Sequence, residues 1–198
     1  MTPYLRLKPI LDITVAAVML PLMLPLLGVI AAAIKVDSRG PILFRQRRLG
    51  LGGQCFDMLK FRTMVDRPPG DRWEEVITEA GDWRVTRLGS FLRRYRLDEL
   101  PQIFNILAGQ MSWIGPRPEA ELLSRWYEAE IDGYACRHSV RPGISGWAQV
   151  NQGHVATLDE VRTKLAYDCH YIDHASLRLD LLIAIRTIKT VATGFGAK

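Results

Sequence analysis

The sequence predicts an α+β fold: a re-entrant N-terminal membrane helix hairpin, then a small β-hairpin or sheet packed with several helices, some of them amphipathic and interfacial. Three observations predict it. Ile13 to Ile34 runs for 22 residues without a charge and is interrupted by Pro21 and Pro25. Two strand-like stretches follow, on either side of a glycine-rich turn. Beyond them, apolar residues recur at helical spacing with arginine and lysine on the other face. The chain has 198 residues, 48% of them hydrophobic, enough for one real core plus an appendage. We divide it into a membrane anchor at residues 1–36 and a domain at residues 37–198.

The anchor is long enough to cross a hydrocarbon core, since about 1.5 Å per residue gives roughly 33 Å. It is too long for a cleaved signal peptide and leads directly into a basic flank. Pro21 and Pro25 each remove a backbone donor and crowd the preceding turn. Both flanks are basic: Arg6 and Lys8 before, then Lys35, Arg39, Arg45, Arg47 and Arg48 after. Such residues favour the cytoplasmic side, and a span would export one flank. A hairpin turning at the prolines exports neither. Asp12 stands at helical spacing from Lys8 and predicts an interfacial ion pair.

Pro41 to Arg47 and Cys55 to Thr63 read as strands of a β-hairpin joined through Leu49 to Gly53. The second strand places Lys60 and Arg62 among Phe56, Leu59 and Phe61, which suits a solvated face or a phosphate-facing one. Val65 to Asp82 reads as a loop with a short helical piece. Arg87 to Tyr95 reads as a helix.

Arg84 to Arg96 holds five arginines and no acidic residue, and Asp98 and Glu99 follow immediately. Neighbouring guanidinium groups favour an ionised Asp98. A helix from about Leu100 to Leu107 would add its N-terminal dipole, and Pro101 is tolerated in a first turn. A carboxylate so framed either caps a helix or works beside a bound phosphate.

A short strand at Met111 to Ile114 leads into Gly115-Pro116-Arg117-Pro118, where two prolines fix an arginine in a pose suited to forked phosphate recognition. The alternative is a plain turn into a helix over Glu119 to Glu130. Arg141-Pro142-Gly143-Ile144-Ser145-Gly146-Trp147-Ala148-Gln149 is a second loop of this kind. Its glycines permit close backbone approach, and Trp147 offers a stacking face. His170 and His174 have the spacing of two metal ligands on one helical face, with Asp168 and Asp173 beside them, but the HExxH pattern is absent. Leu177 to Val191 reads as an amphipathic basic helix, packed on a core or lying on a membrane surface.

A net charge of +5 suits phosphate-rich partners. Cys55, Cys136 and Cys169 are odd in number and widely spaced, which predicts neither a disulfide framework nor a zinc site and favours a reducing compartment.

Taken in order, these motifs resemble the monotopic phosphoglycosyl transferases, or bacterial sugar transferases, in the small form lacking extra membrane helices. The match runs through Lys8 and Asp12, Lys60-Phe61-Arg62-Thr63-Met64, Leu97-Asp98-Glu99-Leu100-Pro101-Gln102, and the two arginine-proline loops. One departure is visible. Well-known members break the hairpin at Ser-Pro, whereas Leu24 precedes Pro25 here.

The resemblance implies an enzyme that moves a phosphosugar from a UDP-sugar to polyprenyl phosphate. UMP is released, a covalent aspartyl intermediate forms, magnesium takes part, and the product initiates membrane glycoconjugate assembly. Asp98 would be the nucleophile with Glu99 its partner, and both would hold Mg2+. Lys60, Arg62, Arg93, Arg117, Arg141 and Gln149 would bind substrate. The expected setting is the cytoplasmic face of a bacterial plasma membrane, with phospholipid as a further partner and no nucleic acid. Two other classes stand beside it. One is a membrane-anchored basic protein binding nucleic acid or anionic lipid. The other is a metal-dependent hydrolase built on His170 and His174.

Overall fold

A computed structural model of the chain describes residues 2–65, 82–153, 155 and 157–193. The predicted loop and helical piece between Val65 and Asp82 lie outside the described residues, apart from their two ends.

Helix α1 (Pro3–Asp37) is a single helix, with Pro9, Pro21 and Pro25 inside it. The hairpin turn expected between Pro21 and Pro25 is therefore not formed: the backbone stays helical through both prolines. Packing explains the outcome. Lys8, Asp12, Ala16, Leu27, Ile30 and Ile34 are buried on one stripe, while Leu20 and Met23, on either side of Pro21, each touch two core clusters. Contacts above and below the prolines hold the axis where the missing hydrogen bonds alone would release it. Leu24, at the position of the expected serine, is exposed, as are Leu22, Val29 and Ile10. A run of large apolar side chains thus faces outward, and a contiguous exposed apolar patch marks an interaction surface.

Strands β1 (Leu43–Leu49) and β2 (Cys55–Phe61) pair antiparallel, from Leu43 opposite Phe61 to Leu49 opposite Cys55. The turn between them uses Gly52 and Gly53 at φ of 64° and 71°, values that only glycine adopts freely. Phe56 and Met58 pack with Ala16, Ile103 and Ile106, and Phe61 packs with Ile30, Ile34 and Leu92. The sheet thus lies against the anchor, and the two predicted units share one core.

Helix α2 (Arg87–Arg94) is capped by Thr86, whose hydroxyl accepts from the Gly89 N–H. Gly89 lies on the end of the hairpin so closely that a Cβ would come within 2.1 Å of the Thr63 carbonyl oxygen. After a 3-10 turn at Leu97–Glu99 comes α3 (Gln102–Leu107), shorter than predicted because its first turn is the tighter helix. Strand β3 (Ser112–Ile114) pairs in parallel with β4 (Gly143–Ser145), and α4 (Glu121–Glu130) lies between them in sequence.

The chain closes with α5 (Trp147–Asn151), α6 (Leu158–His174) and α7 (Leu177–Thr193). Helix α6 opens on a capping box of Thr157 and Glu160. Against the expectation of unpaired cysteines, Cys136 and Cys169 form a disulfide. The turn at Tyr134–Ser139 docks on α6 and brings together two thiols 33 residues apart, which linear spacing does not reveal.

A polar knot ties the start of α1 to α7. Lys8 pairs with Asp180 and, at 3.4 Å, with Asp12. Tyr4 and Tyr171 donate to Asp180, and Ser112 donates to Asp12 at 2.7 Å. These charges are buried but answered, which is the condition for tolerating them. At the other end of the helix, Arg62 donates to the Ser38 carbonyl at 2.6 Å and to its hydroxyl at 2.9 Å.

Candidate active site

The two carboxylates sit where α2 ends. Arg96 takes a left-handed backbone, φ 54°, and turns the chain into the 3-10 turn that carries Asp98 and Glu99. Among the described residues it is the only non-glycine with positive φ, a conformation costing on the order of 1 kcal/mol or more. Both carboxylates are buried, at 8% and 7% exposure.

Glu99 is surrounded by cations. Arg117 grips it with both terminal nitrogens, Nη1 reaching Oε2 at 3.2 Å and Nη2 bonding Oε1. Lys60 Nζ is 3.5 Å from Oε1, and Arg96 Nη1 is 4.0 Å away. Burial alone would raise the Glu99 pKa, but Arg117 and Lys60 outweigh it and hold the carboxyl far below its usual range. Glu99 raises the Arg117 pKa in return.

Asp98 is in the opposite condition. Burial first, and the negative charge of Glu99 second, push its pKa up, against the pull of Lys60, Arg93 and Arg117. Burial lowers the pKa values of Lys60 and Arg93. Arg93 is oriented by Nε donating to Thr63 Oγ1 at 2.8 Å. The pair therefore holds one carboxylate fully satisfied by its forked arginine and a second whose charge is under-compensated. A buried carboxylate whose pKa is raised by burial and a like charge is a candidate functional group.

A second layer fixes Arg117. Arg137 donates to the Arg117 carbonyl at 2.7 Å and pairs with Asp168 at 2.9 Å. Arg48 donates to the Pro118 carbonyl at 2.9 Å. Glu119 bonds Lys164 and stands near Arg137 and Arg48; these three cations overcome burial and hold its pKa down to about 2.

Of the residues singled out from sequence, Asp98, Glu99, Lys60, Arg93 and Arg117 come together here. Arg62 does not: it caps the C-terminal end of α1 instead. Arg141 lies beside Gly109, and none of the contacts above involves it. Gln149 donates to the Ile144 carbonyl at 2.9 Å and lines a cavity that reaches Glu99. The glycines of the two arginine-proline loops serve the loops themselves. A Cβ on Gly143 would meet Gly115 N at 2.1 Å, and one on Gly146 would meet Gly115 O at 2.2 Å. Close backbone approach is needed there between two segments of the protein.

Sequence reasoning gave no site role to Arg96, Arg48, Glu119 or Arg137, and set Asp168 beside His170 and His174 where the structure pairs it with Arg137. The signal for Arg96 was local, an arginine directly before the turn. The other four are joined across long loops. The His170 and His174 rings stack on each other at 4.3 Å, and Trp147 stacks on His170. Among the described residues no group of three His, Cys, Asp or Glu side chains could hold a metal. Ser124, His138 and Glu128 line up like a nucleophilic triad, at 3.3 and 3.1 Å. Ser124 is fully buried, however, which closes it to substrate. The donor set at Asp98 and Glu99 does fit a hard divalent cation that keeps most of its ligands as water and phosphate. Asp98, raised by burial and a like charge, is the group that such a cation would relieve.

The geometry can be set beside known proteins. A family model described as bacterial sugar transferase matches residues 3–194. The chain is 46% identical, over 98% of its length, to a UDP-N-acetylgalactosamine-undecaprenyl-phosphate N-acetylgalactosaminephosphotransferase of Aeromonas hydrophila, and covers 46% of that protein. It is 45% identical, over 94% of its length, to a UDP-glucose:undecaprenyl-phosphate glucose-1-phosphate transferase of Caulobacter vibrioides, of which it covers 70%. A Xanthomonas campestris pv. campestris protein of that same description is 46% identical over 91% of the chain, which spans 37% of it. The chain thus spans less than half of the Aeromonas and Xanthomonas relatives. With the family match covering nearly the whole chain, it belongs to the bacterial sugar transferases.

Proposed function

We propose that this protein transfers a phosphosugar from a UDP-sugar to polyprenyl phosphate, with Asp98 as the nucleophile. The observation that carries the reading is the asymmetry of the carboxylate pair. Glu99 is locked as an anion by Arg117 and Lys60, while Asp98 is buried beside it with its charge under-compensated. In the first step a carboxylate oxygen of Asp98 attacks the sugar-bearing phosphorus. The bond from that phosphorus to the UMP oxygen breaks, and UMP leaves with the electron pair. In the second step a phosphate oxygen of the lipid attacks the same phosphorus, and the Asp98 carboxylate is regenerated. Splitting one displacement into two in this way is ordinary nucleophilic catalysis.

Lys60, Arg93 and Arg117 surround the reacting phosphorus with fixed positive charge, and such charge helps most where water is excluded. Glu99 acts by holding Arg117 in a single forked pose. Magnesium, held by Asp98 and Glu99 when bound, would neutralise charge on the diphosphate.

The same reading places the protein on the cytoplasmic face of a bacterial plasma membrane, without crossing it. Both ends of α1 are tied to one domain, through Lys8 to Asp180 and through Ser38 to Arg62. A span would put those ties on opposite sides of the bilayer. The alternative of a basic protein binding nucleic acid or anionic lipid is less well supported, because Arg93, Arg117 and Arg137 are engaged inside the domain.

The test is incubation of the full chain with UDP-sugars in the absence of acceptor. UMP release and a phosphosugar mass on the Asp98 peptide are expected, and Asp98→Asn should abolish both. An adduct on any other residue, or full turnover by Asp98→Asn, would defeat the assignment.

A further inference from the structure

Two rungs tie the turn at Tyr134–Ser139 to helix α6, and they are neighbours in the chain. Cys136 bonds Cys169. Arg137, the residue after the first cysteine, pairs at 2.9 Å with Asp168, the residue before the second. The ionic rung is buried, its side chains 2% and 1% exposed. The covalent rung is only half-buried at both cysteines, which leaves it within reach of small thiols. Arg137 uses the same Nη2 to face Asp168 and to donate to the Arg117 carbonyl at 2.7 Å. Arg117 in turn grips Glu99 with its fork. A short path therefore runs from the two sulfurs to the carboxylate pair.

The covalent rung decides how well the ionic one is made. Asp168 Oδ2 faces Arg137 Nη2 at close range, yet it accepts no well-aligned hydrogen bond among the described residues. The pair is held by charge and by the placement of its two segments, and the sulfur bond supplies that placement. When the bond opens, two thiols in van der Waals contact replace it, so the turn moves off α6 at the residue beside Arg137. Arg137 Nη1 bonds Tyr134 of the same turn, so the guanidinium travels with the turn. Parting a buried pair leaves charge uncompensated, and the bond to the Arg117 carbonyl is the contact that yields.

We propose that Cys136 and Cys169 form a redox-sensitive clamp that positions Arg137 and, through it, the Arg117 fork at the carboxylate pair. For its effect on rate the proposal rests on the transferase reading above. The oxidant is a small disulfide such as oxidised glutathione. One cysteine attacks it as a thiolate and expels one small thiol. The other cysteine attacks the mixed disulfide, closes the Cys136–Cys169 bond and expels the second. Two electrons pass to the small disulfide, and the two cysteine protons end on the released thiols. A dithiol runs the exchange backwards. On the cytoplasmic face proposed above, the clamp rests open and closes under oxidation, and phosphosugar transfer rises as it closes. Arg137 acts as a positioning residue, through the backbone of Arg117.

The test compares the full chain in nanodiscs after oxidised glutathione and after dithiothreitol, below the Tm of both forms. Single-turnover UMP release should be about fivefold faster or more in the oxidised form, since small misplacements at a reacting centre are costly. In Arg117→Lys, which lacks the fork, the two forms should differ by less than about 1.5-fold, because the coupling partner is gone. Cys169→Ser should not respond to dithiothreitol. Equal rates in the two forms of the parent, or a faster reduced form, would overturn the proposal. So would an undiminished difference in Arg117→Lys, which would show the bond acting on stability alone. A second readout is independent of turnover. The Gly143 N–H donates to the Pro116 carbonyl at 2.9 Å, next to Arg117. On reduction its hydrogen exchange should quicken about fivefold more than that of the Leu59 N–H, which is bonded to Asn105. Equal changes at the two amides would overturn the clamp. A parent that releases no UMP in either form would sink the transferase reading, and the Gly143 exchange would then decide the clamp by itself.

Discussion

Arg117 holds Glu99 by a two-pronged contact, one nitrogen on each carboxylate oxygen. The contact joins residues 18 positions apart and makes a member of one arginine-proline loop part of the carboxylate turn. A guanidinium fork matches a carboxylate in a way that an ammonium does not. Arg117→Lys should therefore keep the charge but lose the geometry. We expect at least a tenfold loss in single-turnover UMP release, about 1.4 kcal/mol of transition-state stabilisation. An unchanged rate would return Arg117 to a purely turn-forming role.

The pH dependence follows from Asp98. Its pKa is raised by burial and by Glu99, and in the proposed first step only the carboxylate attacks. The first step should fall on acidification through a limb lying above the ordinary aspartate range near 3.8. Lys60 pulls that pKa down, so Lys60→Met should move the limb to higher pH as well as slow the step. Rate against pH for UMP release, parent against variant, measures this. A shift to lower pH would contradict the electrostatic account.

Gly89 offers a test of stability at a position outside the carboxylate cluster itself. A methyl group there would meet the backbone oxygen, carbonyl carbon and Cα of Thr63, all within 3.0 Å. Backbone cannot swing aside as a side-chain tip can. Gly89→Ala should destabilise the domain by about 2–3 kcal/mol, in the range of overpacked cores, and disturb Arg93 through Thr63. Denaturant unfolding reads the first effect, and a retained midpoint would argue that α2 simply shifts.

The Cys136–Cys169 pair should be open in a reducing cytosol and closed in protein handled in air. Closing a loop of 33 residues' separation contributes roughly 3–4 kcal/mol by chain entropy. A dithiol should therefore lower the Tm of oxidised parent protein and leave that of Cys169→Ser unmoved. Equal responses would show that the bond carries no stability.

Topology can be read with a cysteine placed at Thr2 in a chain lacking its native cysteines. Because Thr2 bonds the Ala175 carbonyl at 3.2 Å, it should lie with the domain. A membrane-impermeant thiol reagent should not label it in intact cells; labelling from outside would mean that α1 spans.

Much of this was legible in the sequence because it is local. The β-hairpin announced itself by alternation around glycines, and α4 and α7 by helical period. Asp98 and Glu99 stood out because five arginines precede them. What the sequence hid is non-local. Glu119 reads as one more helix-start acid until Lys164 and Arg137 arrive from other elements. Arg62 and Arg117 look alike as cations flanked by apolar residues or prolines; only the fold sends one to Ser38 and the other to Glu99. The prolines of α1 misled for a related reason. They weaken a helix that stands alone, and this helix does not stand alone.

That shared packing bears on how the protein is made. Roughly 160 residues follow α1 in the chain, and among them lie Phe56, Phe61, Leu92 and Ile103, which bury its stripe. At about 5–20 residues per second of synthesis, the helix waits some 8–30 seconds before its partners are complete. On the membrane reading proposed above, lipid would cover the stripe as well as the outward face during that interval, and Lys8 and Asp12 would have only each other. On that reading α1 would start as a peptide of the bilayer and later be recruited into the domain. A ribosome releasing this domain without its first helix would release half a core.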